Sequence, residues 1–127
     1  MAYLILNREL PSKKQLKKFE KEERKERKLS KTLLDDIKKF PKKAHPMDAA
    51  RTAVSIMGLE DKETKDNSPA ANMRKVMRIF AKTPVALAAF YRARKGKKII
   101  PPKKNLSFSE KVRLFFGGII FFPFRAL

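Results

Sequence analysis

The sequence predicts an all-α fold of about five helices in one small domain. Apolar residues recur at helical spacing almost throughout the chain. Serine or histidine precedes four of the periodic stretches, and two of these stretches open with proline, which is a common arrangement at helix starts. A chain of 127 residues is long enough for one domain with a modest core.

The composition excludes several kinds of site. The chain has no cysteine, which rules out disulfides and thiolate zinc sites, and one histidine, which rules out a multi-histidine metal site. No stretch approaches the roughly 20 apolar residues that a membrane-spanning helix needs. The first residues also lack the basic region of a signal peptide. We therefore predict no metal site, no membrane span and a cytoplasmic location.

The net charge of +19 raises the possibility of a polyanion-binding protein. Binding of that kind would rest on neutralisation of phosphates by lysine and arginine. The sequence lacks the interleaved exposed aromatics of single-strand binders and any helix-turn-helix spacing. A small basic helical protein that binds nucleic acid or another polyanion is thus an alternative, with no specific nucleic acid expected.

The N-terminal region contains an ambiguous apolar run and then a helix. Residues 2–7 are apolar enough for either a strand or the end of a helix. Ser12 is a good N-cap because its hydroxyl can accept an N–H of the first turn. Leu16 and Phe19 give the helix that follows a narrow apolar contact.

Charged residues dominate the rest of that helix. They include possible pairs one turn apart, such as Glu23 with Arg27. Two interpretations are a solvated helix face and a nucleic-acid-binding arm. We favour the solvated face.

The next helix is predicted to begin after Ser30 and to end at Pro41. Asp35 and Asp36 are neighbours in it, so their side chains diverge, and no third ligand is nearby. We expect them to be solvated rather than to bind metal. The apolar stripe consists of Leu33, Ile37 and Phe40.

The stretch AHPMDAARTAV contains the single histidine and raises the question of a catalytic histidine with its carboxylate. Helix geometry gives another answer, with His45 at the N-cap, Pro46 at the first helical position and Asp48 near the positive end of the helix dipole. A general base needs a reacting group within hydrogen-bond reach, and the spacing offers none. Gly58 is the predicted stop. The predicted core face is Met47, Ala50, Ala53, Val54 and Met57.

A fourth helix is predicted from Pro69, with Ser68 as N-cap and Gly96 as the stop. Pro84 is expected to break or bend it. A last short helix is predicted from Ser107 or Phe108 to Phe116, after a proline-containing linker. The core face expected for the fourth helix is Met73, Val76, Met77 and Phe80.

The order of these segments resembles the N-terminal region of citrate synthases, and most closely the prokaryotic branch that includes 2-methylcitrate synthase. HPMD followed by RTAVS is one of the most specific parts, and YRARKGKKIIPP followed by NLSFSE is the other. The matching blocks, in order, are AYLILNRELPSKKQLKKF, KKAHPMDAARTAVSIMG, DNSPAANMRKVMRIFAKTPVALAAFYRARKGKKIIPP and NLSFSE.

The resemblance implies a largely helical homodimer, with a large and a small domain, that condenses oxaloacetate with acetyl-CoA or propionyl-CoA. It also implies that two histidines and an aspartate do the chemistry in a later part of the family's sequence, where no residue of this chain matches. The HPMD histidine of the family lies at a helix start and is not catalytic. We therefore assign no catalytic, cofactor-binding or metal residue here, and treat acyl-CoA as the family's substrate, not as a covalently bound cofactor.

The chain departs from the family at both ends. Arg8 occupies a turn position where the family usually has glycine, which tolerates a left-handed backbone without steric cost. We expect residues 1–110 to form part of the large domain and residues 111–127 to be an apolar tail that does not match. The simplest account is a truncated or frameshifted fragment, inactive alone, whose partner is a second copy or a complementing downstream chain.

Overall fold

The computed structural model describes residues 1–102 and 105–110, and every regular element among them is helical. This confirms the all-α prediction. A further helix begins at Phe108 as predicted, whereas its end and the apolar tail at 111–127 lie outside the described residues. The helices are α1 (Ala2–Asn7), α2 (Lys13–Glu26), α3 (Lys31–Lys39), α4 (Pro46–Glu60) and α5 (Pro69–Arg94).

Three serines cap the helices that the sequence assigned to them. The Ser12 hydroxyl accepts the backbone N–H of Gln15, whose side chain in turn accepts the Ser12 N–H at 2.8 Å. Ser30 and Ser68 accept N–H groups in the same way at the starts of α3 and α5. These bonds satisfy backbone donors that the first turn of a helix leaves without partners.

The core lies where α5 meets the other long helices. α5 packs against α2, α3 and α4, and α3 also contacts α4. Many of the buried positions on α4 and α5 are alanines, which lets the two helices approach closely. The buried core residues are Leu29, Leu33, Ile37, Ala49, Ala53, Met57, Val85, Ala86, Ala88, Ala89 and Phe90.

The predicted core face of α4 is partly wrong. Met47 is 62% exposed, and Ala49 rather than Ala50 is buried. The buried set repeats every fourth residue, as Ala49, Ala53 and Met57, so the face is narrower and rotated from the predicted one. Gly58 does not stop the helix, which continues to Glu60.

α5 is one continuous helix with Pro84 inside it, so the predicted break is wrong and a bend stays a prediction. Proline removes one backbone hydrogen bond from a helix interior. Six residues around Pro84 are nevertheless buried, and their packing outweighs the lost bond: Ala81, Val85, Ala86, Ala88, Ala89 and Phe90.

The predicted core face at the start of α5 is wrong for Met73 and Val76, which are exposed, because Ala71 is the residue buried there. The other buried residues lie further along the helix, from Ala81 onward. Met77 and Phe80 are half-buried.

The apolar run at 2–7 is a helix, and Arg8 ends it in the left-handed conformation with φ 59° and ψ 19°. Its backbone N–H donates to the Leu4 carbonyl at 2.8 Å. Gly96, the predicted stop of α5, has φ 66°. Both helices thus end in the conformation that glycine adopts most easily, and only one of them has glycine there.

We expect Arg8→Gly to raise the free energy of unfolding by about 0.5–1 kcal/mol. The left-handed conformation costs a non-glycine residue roughly 1–2 kcal/mol, and the greater freedom of glycine in the unfolded chain offsets part of that. Urea unfolding followed by circular dichroism measures the difference. Arg8→Ala is the control, and equal stability of the two variants would contradict the backbone explanation.

Candidate functional site

His45 lies at the N-cap of α4, as predicted. Its Nδ1 accepts the Met47 backbone N–H at 3.2 Å, and the side chain is exposed. Asp48 is in the first turn and lies 3.9 Å from Arg51. In the described part of the chain no hydrogen bond joins His45 to a carboxylate, a hydroxyl or another candidate nucleophile. The geometry therefore matches a helix start.

We expect His45→Asn to leave the stability within about 0.5 kcal/mol of the original chain, because asparagine is itself a good N-cap. His45→Ala should cost about 0.5–2 kcal/mol, since the Met47 N–H then has no side-chain acceptor. Thermal unfolding of the three chains provides the measurement. A larger loss for Asn than for Ala would contradict the capping role.

Asp35 and Asp36 form ion pairs within α3, as expected for solvated positions. Asp35 lies 2.9 Å from Lys38, and Asp36 lies 3.6 Å from Lys39. The hydrogen bond from Lys38 lowers the pKa of Asp35. Residues 1–102 and 105–110 contain no group of three metal-ligating side chains. None of their helices is long and apolar enough to cross a membrane.

A groove of about 570 Å³ lies between the end of α4, the loop that follows and α5. Its apolar side includes Val54, Met57 and Ile79, and its polar side is a set of ion pairs. Arg78 donates to both carboxylate oxygens of Asp61, at 2.9 and 3.0 Å, and to Glu63 at 2.7 Å.

Arg74 completes this network and donates to Glu63 through Nε at 2.9 Å. The hydrogen bonds from Arg74 and then Arg78 lower the pKa of Glu63 to about 2. The hydrogen bonds to Glu63 also raise the pKa values of both arginines, although desolvation opposes the rise in each case and most strongly for Arg78. The Glu63 carboxylate is thus held ionised, and both arginines donate to it, so it attaches the loop to α5. A carboxylate with a low pKa and bound donors is poorly suited to act as a general base.

We expect the attachment of this loop to weaken in acid. The pKa of Glu63 is about 2 in the folded chain, below its ordinary value of 4.5, so its contribution is complete above pH 4.5 and is lost as the pH falls toward 2. An NMR titration of the Glu63 carboxyl carbon tests this directly. A midpoint near 4.5 would contradict the ion-pair network. Glu63→Gln should reduce the pH dependence of the loop's protection factors, which are exchange rates corrected for intrinsic exchange, between pH 5 and 2.

A second groove, of about 620 Å³, lies between α3, the end of α5 and the residues after Gly96. Its floor is mainly apolar. Its rim carries lysines, one of which, Lys38, is already paired with Asp35. The lining residues include Leu34, Lys38, Ala93, Lys97, Lys98, Ile99 and Pro101.

The structure also corrects the interpretation of α2 as a solvated charged helix. Glu23 and Arg27 are 4% and 2% exposed, so this pair is buried. A signal for this was present in the sequence, because Phe19, Glu23 and Arg27 are spaced by four and share one helix face. The predicted apolar contact of this helix is wrong for Leu16, which is 41% exposed, whereas Phe19 is half-buried.

A family model described as "Citrate synthase, C-terminal domain" matches residues 1–118. Citrate synthase 2 of Bacillus subtilis is 37% identical over 111 residues, which are 87% of this chain and 30% of that protein. 2-Methylcitrate synthase 2 of Corynebacterium glutamicum is 42% identical over 113 residues, which are 87% of this chain and 29% of that protein. The chain thus spans about 30% of the length of the curated relatives that it matches.

Solved structures agree with the sequence relatives. The crystal structure of citrate synthase from Pyrobaculum aerophilum matches with a TM-score of 0.82 and 26% identity, over 91% of this chain and 31% of that one. The citrate synthase from Thermotoga maritima matches with a TM-score of 0.78 and 28% identity, over 92% and 29%. These matches give no support to the polyanion-binding alternative.

Proposed function

Because the chain belongs to the citrate synthase family, we propose that it supplies the scaffold of an acyl-CoA:oxaloacetate condensing enzyme and none of its reacting groups. The proposed reaction is condensation of acetyl-CoA or propionyl-CoA with oxaloacetate to citrate or 2-methylcitrate. The match of its helices to a solved citrate synthase, over 91% of this chain but 31% of that one, is the observation that carries the proposal.

The capping role of His45 supports this division of labour. Condensation needs a base at the acyl methyl group and cationic or hydrogen-bonding groups that hold oxaloacetate, together in one site that excludes water. His45 is exposed and accepts the Met47 N–H, and the arginines at the first groove already bind carboxylates of this chain. We therefore assign residues 1–110 to the large-domain scaffold and place the reacting residues elsewhere in the functional enzyme.

A partner chain is part of the proposal. Leu59 of α4 is 86% exposed, and Met73, Val76 and Ile79 of α5 are each about 40% exposed. Apolar surface of this kind favours association. A second copy, or a chain that carries the remaining helices of the family, is the proposed occupant.

The proposal includes both acyl-CoA substrates, because proteins named citrate synthase and proteins named 2-methylcitrate synthase match the chain at similar identity. A scaffold without reacting residues is not expected to select between acetyl and propionyl groups. We also propose a cytoplasmic location, which is supported only by the similarity to bacterial citrate synthases.

A two-chain mixture tests the proposed role. Residues 1–127 would be combined with a second chain that contains the part of the Mycolicibacterium smegmatis citrate synthase beyond the 120 matched residues. Release of free CoA in the presence of oxaloacetate should require both chains. Activity of the second chain that is unchanged by addition of the first would contradict the scaffold role.

A further inference from the structure

A buried ion pair lies at the C-terminal end of α2, a helix that is otherwise rich in exposed charge. Glu23 and Arg27 are almost completely buried, whereas Arg24 and its partner Glu20, 3.5 Å away, remain on the surface. Removal of two charges from water is costly unless their hydrogen-bonding groups are well satisfied. An ion pair between neighbouring turns stabilises its own helix only slightly. The contacts of Glu23 and Arg27 with other parts of the chain therefore indicate why the pair is buried.

The Arg27 guanidinium has partners on two of its sides. Nε donates to both carboxylate oxygens of Glu23 at 2.9 Å, and Nη2 donates to the same carboxylate. Nη1 donates at 2.7 Å to the backbone carbonyl of Leu106, which is 79 residues later in the chain. Glu23 thus orients a planar group that also reaches a distant carbonyl through Nη1, an arrangement that the ammonium of lysine cannot reproduce.

Leu106 belongs to a short segment, residues 105–110, that we call the return segment because the chain comes back to α2 there. Ser107 and Glu110 cap each other at the start of its helix, with the Ser107 N–H donating to Glu110 at 2.8 Å and the Glu110 N–H donating to Ser107 at 3.3 Å. The Phe108 ring stacks on Phe80 of α5, with centroids 4.9 Å apart and planes 7° apart. The carbonyl bound by Arg27 therefore directly precedes the point where the next helix begins.

We propose that Arg27 is a positioning residue, oriented by Glu23, that clamps the Leu106 carbonyl and so fixes the place and direction in which the helix after Ser107 starts. The clamp explains why two charges are buried on a surface helix. It acts on the path of the chain and does not depend on the enzymatic role proposed above.

Hydrogen exchange of the intact 127-residue chain, read by mass spectrometry or NMR, tests the clamp. Arg27→Lys keeps the positive charge beside Glu23 but lacks the fork that also reaches Leu106. We expect amide exchange in residues 105–110 to become about tenfold faster, as for the loss of one charge-assisted hydrogen bond. Exchange in α3 and α4 should be unchanged. The double variant Glu23→Gln with Arg27→Met leaves no buried charge without its partner, and it should show the same local effect or a larger one.

Arg24→Met is the matched control, because Arg24 is one turn away and its ion pair is exposed. It should leave exchange in the return segment unchanged. Two results would overturn the proposal. The first is an Arg27→Lys chain whose return segment exchanges no faster than in the control. The second is a global effect in both Arg27 variants, seen either as faster exchange spread evenly over the whole chain or as general unfolding.

Discussion

The purified 127-residue chain is expected to release no free CoA above background when it is mixed with oxaloacetate and either acetyl-CoA or propionyl-CoA. The reaction needs a base at the acyl methyl group and an arrangement that binds both carboxylates of oxaloacetate. The single histidine caps α4, and the Asp61, Glu63, Arg74 and Arg78 network is internally neutralised. The difference between this chain, with no turnover, and a complete citrate synthase is the largest effect that the structure predicts.

A thiol reagent that detects free CoA provides the assay, and the host's own citrate synthase is the contaminant to exclude. A preparation of His45→Ala, purified in parallel, is the control, because contaminating activity would be the same in both. Turnover that copurifies with the chain through successive columns and falls in the His45→Ala preparation would show that this chain does carry a reacting histidine.

Phe90→Ala should destabilise the fold by about 3–5 kcal/mol, which is a large part of the stability of a small domain. Phe90 is 2% exposed and belongs to the core cluster, with the Phe40 ring 6.2 Å away. Its ring also lies under the Arg94 guanidinium, 5.9 Å from the ring centroid. Removal of the ring leaves a cavity between α3 and α5 that alanine cannot fill.

Leu59→Ala is the matched control for this change, because Leu59 is 86% exposed and its truncation should alter stability by no more than about 0.5 kcal/mol. Urea unfolding followed by the helical circular dichroism signal compares the two variants. Equal midpoints for Phe90→Ala and Leu59→Ala would show that the packing between α3 and α5 does not hold the fold together.

Local signals in the sequence predicted the helix starts well. Ser12, Ser30 and Ser68 all accept N–H groups of their first turns, and His45 does the same before a proline. Capping depends on a few adjacent residues, so it can be read without knowledge of the fold. The left-handed turn after α1 was likewise foreseeable, because the family resemblance placed glycine at the position of Arg8, which has φ 59°.

Features that depend on tertiary contacts were predicted less well. The continuation of α5 through Pro84 rests on the buried alanines around it, and propensity alone could not show that packing. The burial of Arg27 depends on the carbonyl of Leu106, a contact that no local pattern reveals. The exposure of Met47 and Met73 has the same origin, since periodicity gives the spacing of a face but not which part of it meets another helix.

A chimaera tests most directly whether this chain is scaffold without reacting residues. Residues 1–110 would replace the corresponding stretch of 2-methylcitrate synthase 2 from Corynebacterium glutamicum and, separately, of the Mycolicibacterium smegmatis citrate synthase. The same chimaeras with Phe90→Ala would control for folding. We predict that both chimaeras turn over and that each keeps the preference of its recipient for acetyl-CoA or propionyl-CoA. Folded chimaeras that are inactive, or that both adopt one shared preference carried by the inserted residues, would contradict the scaffold role.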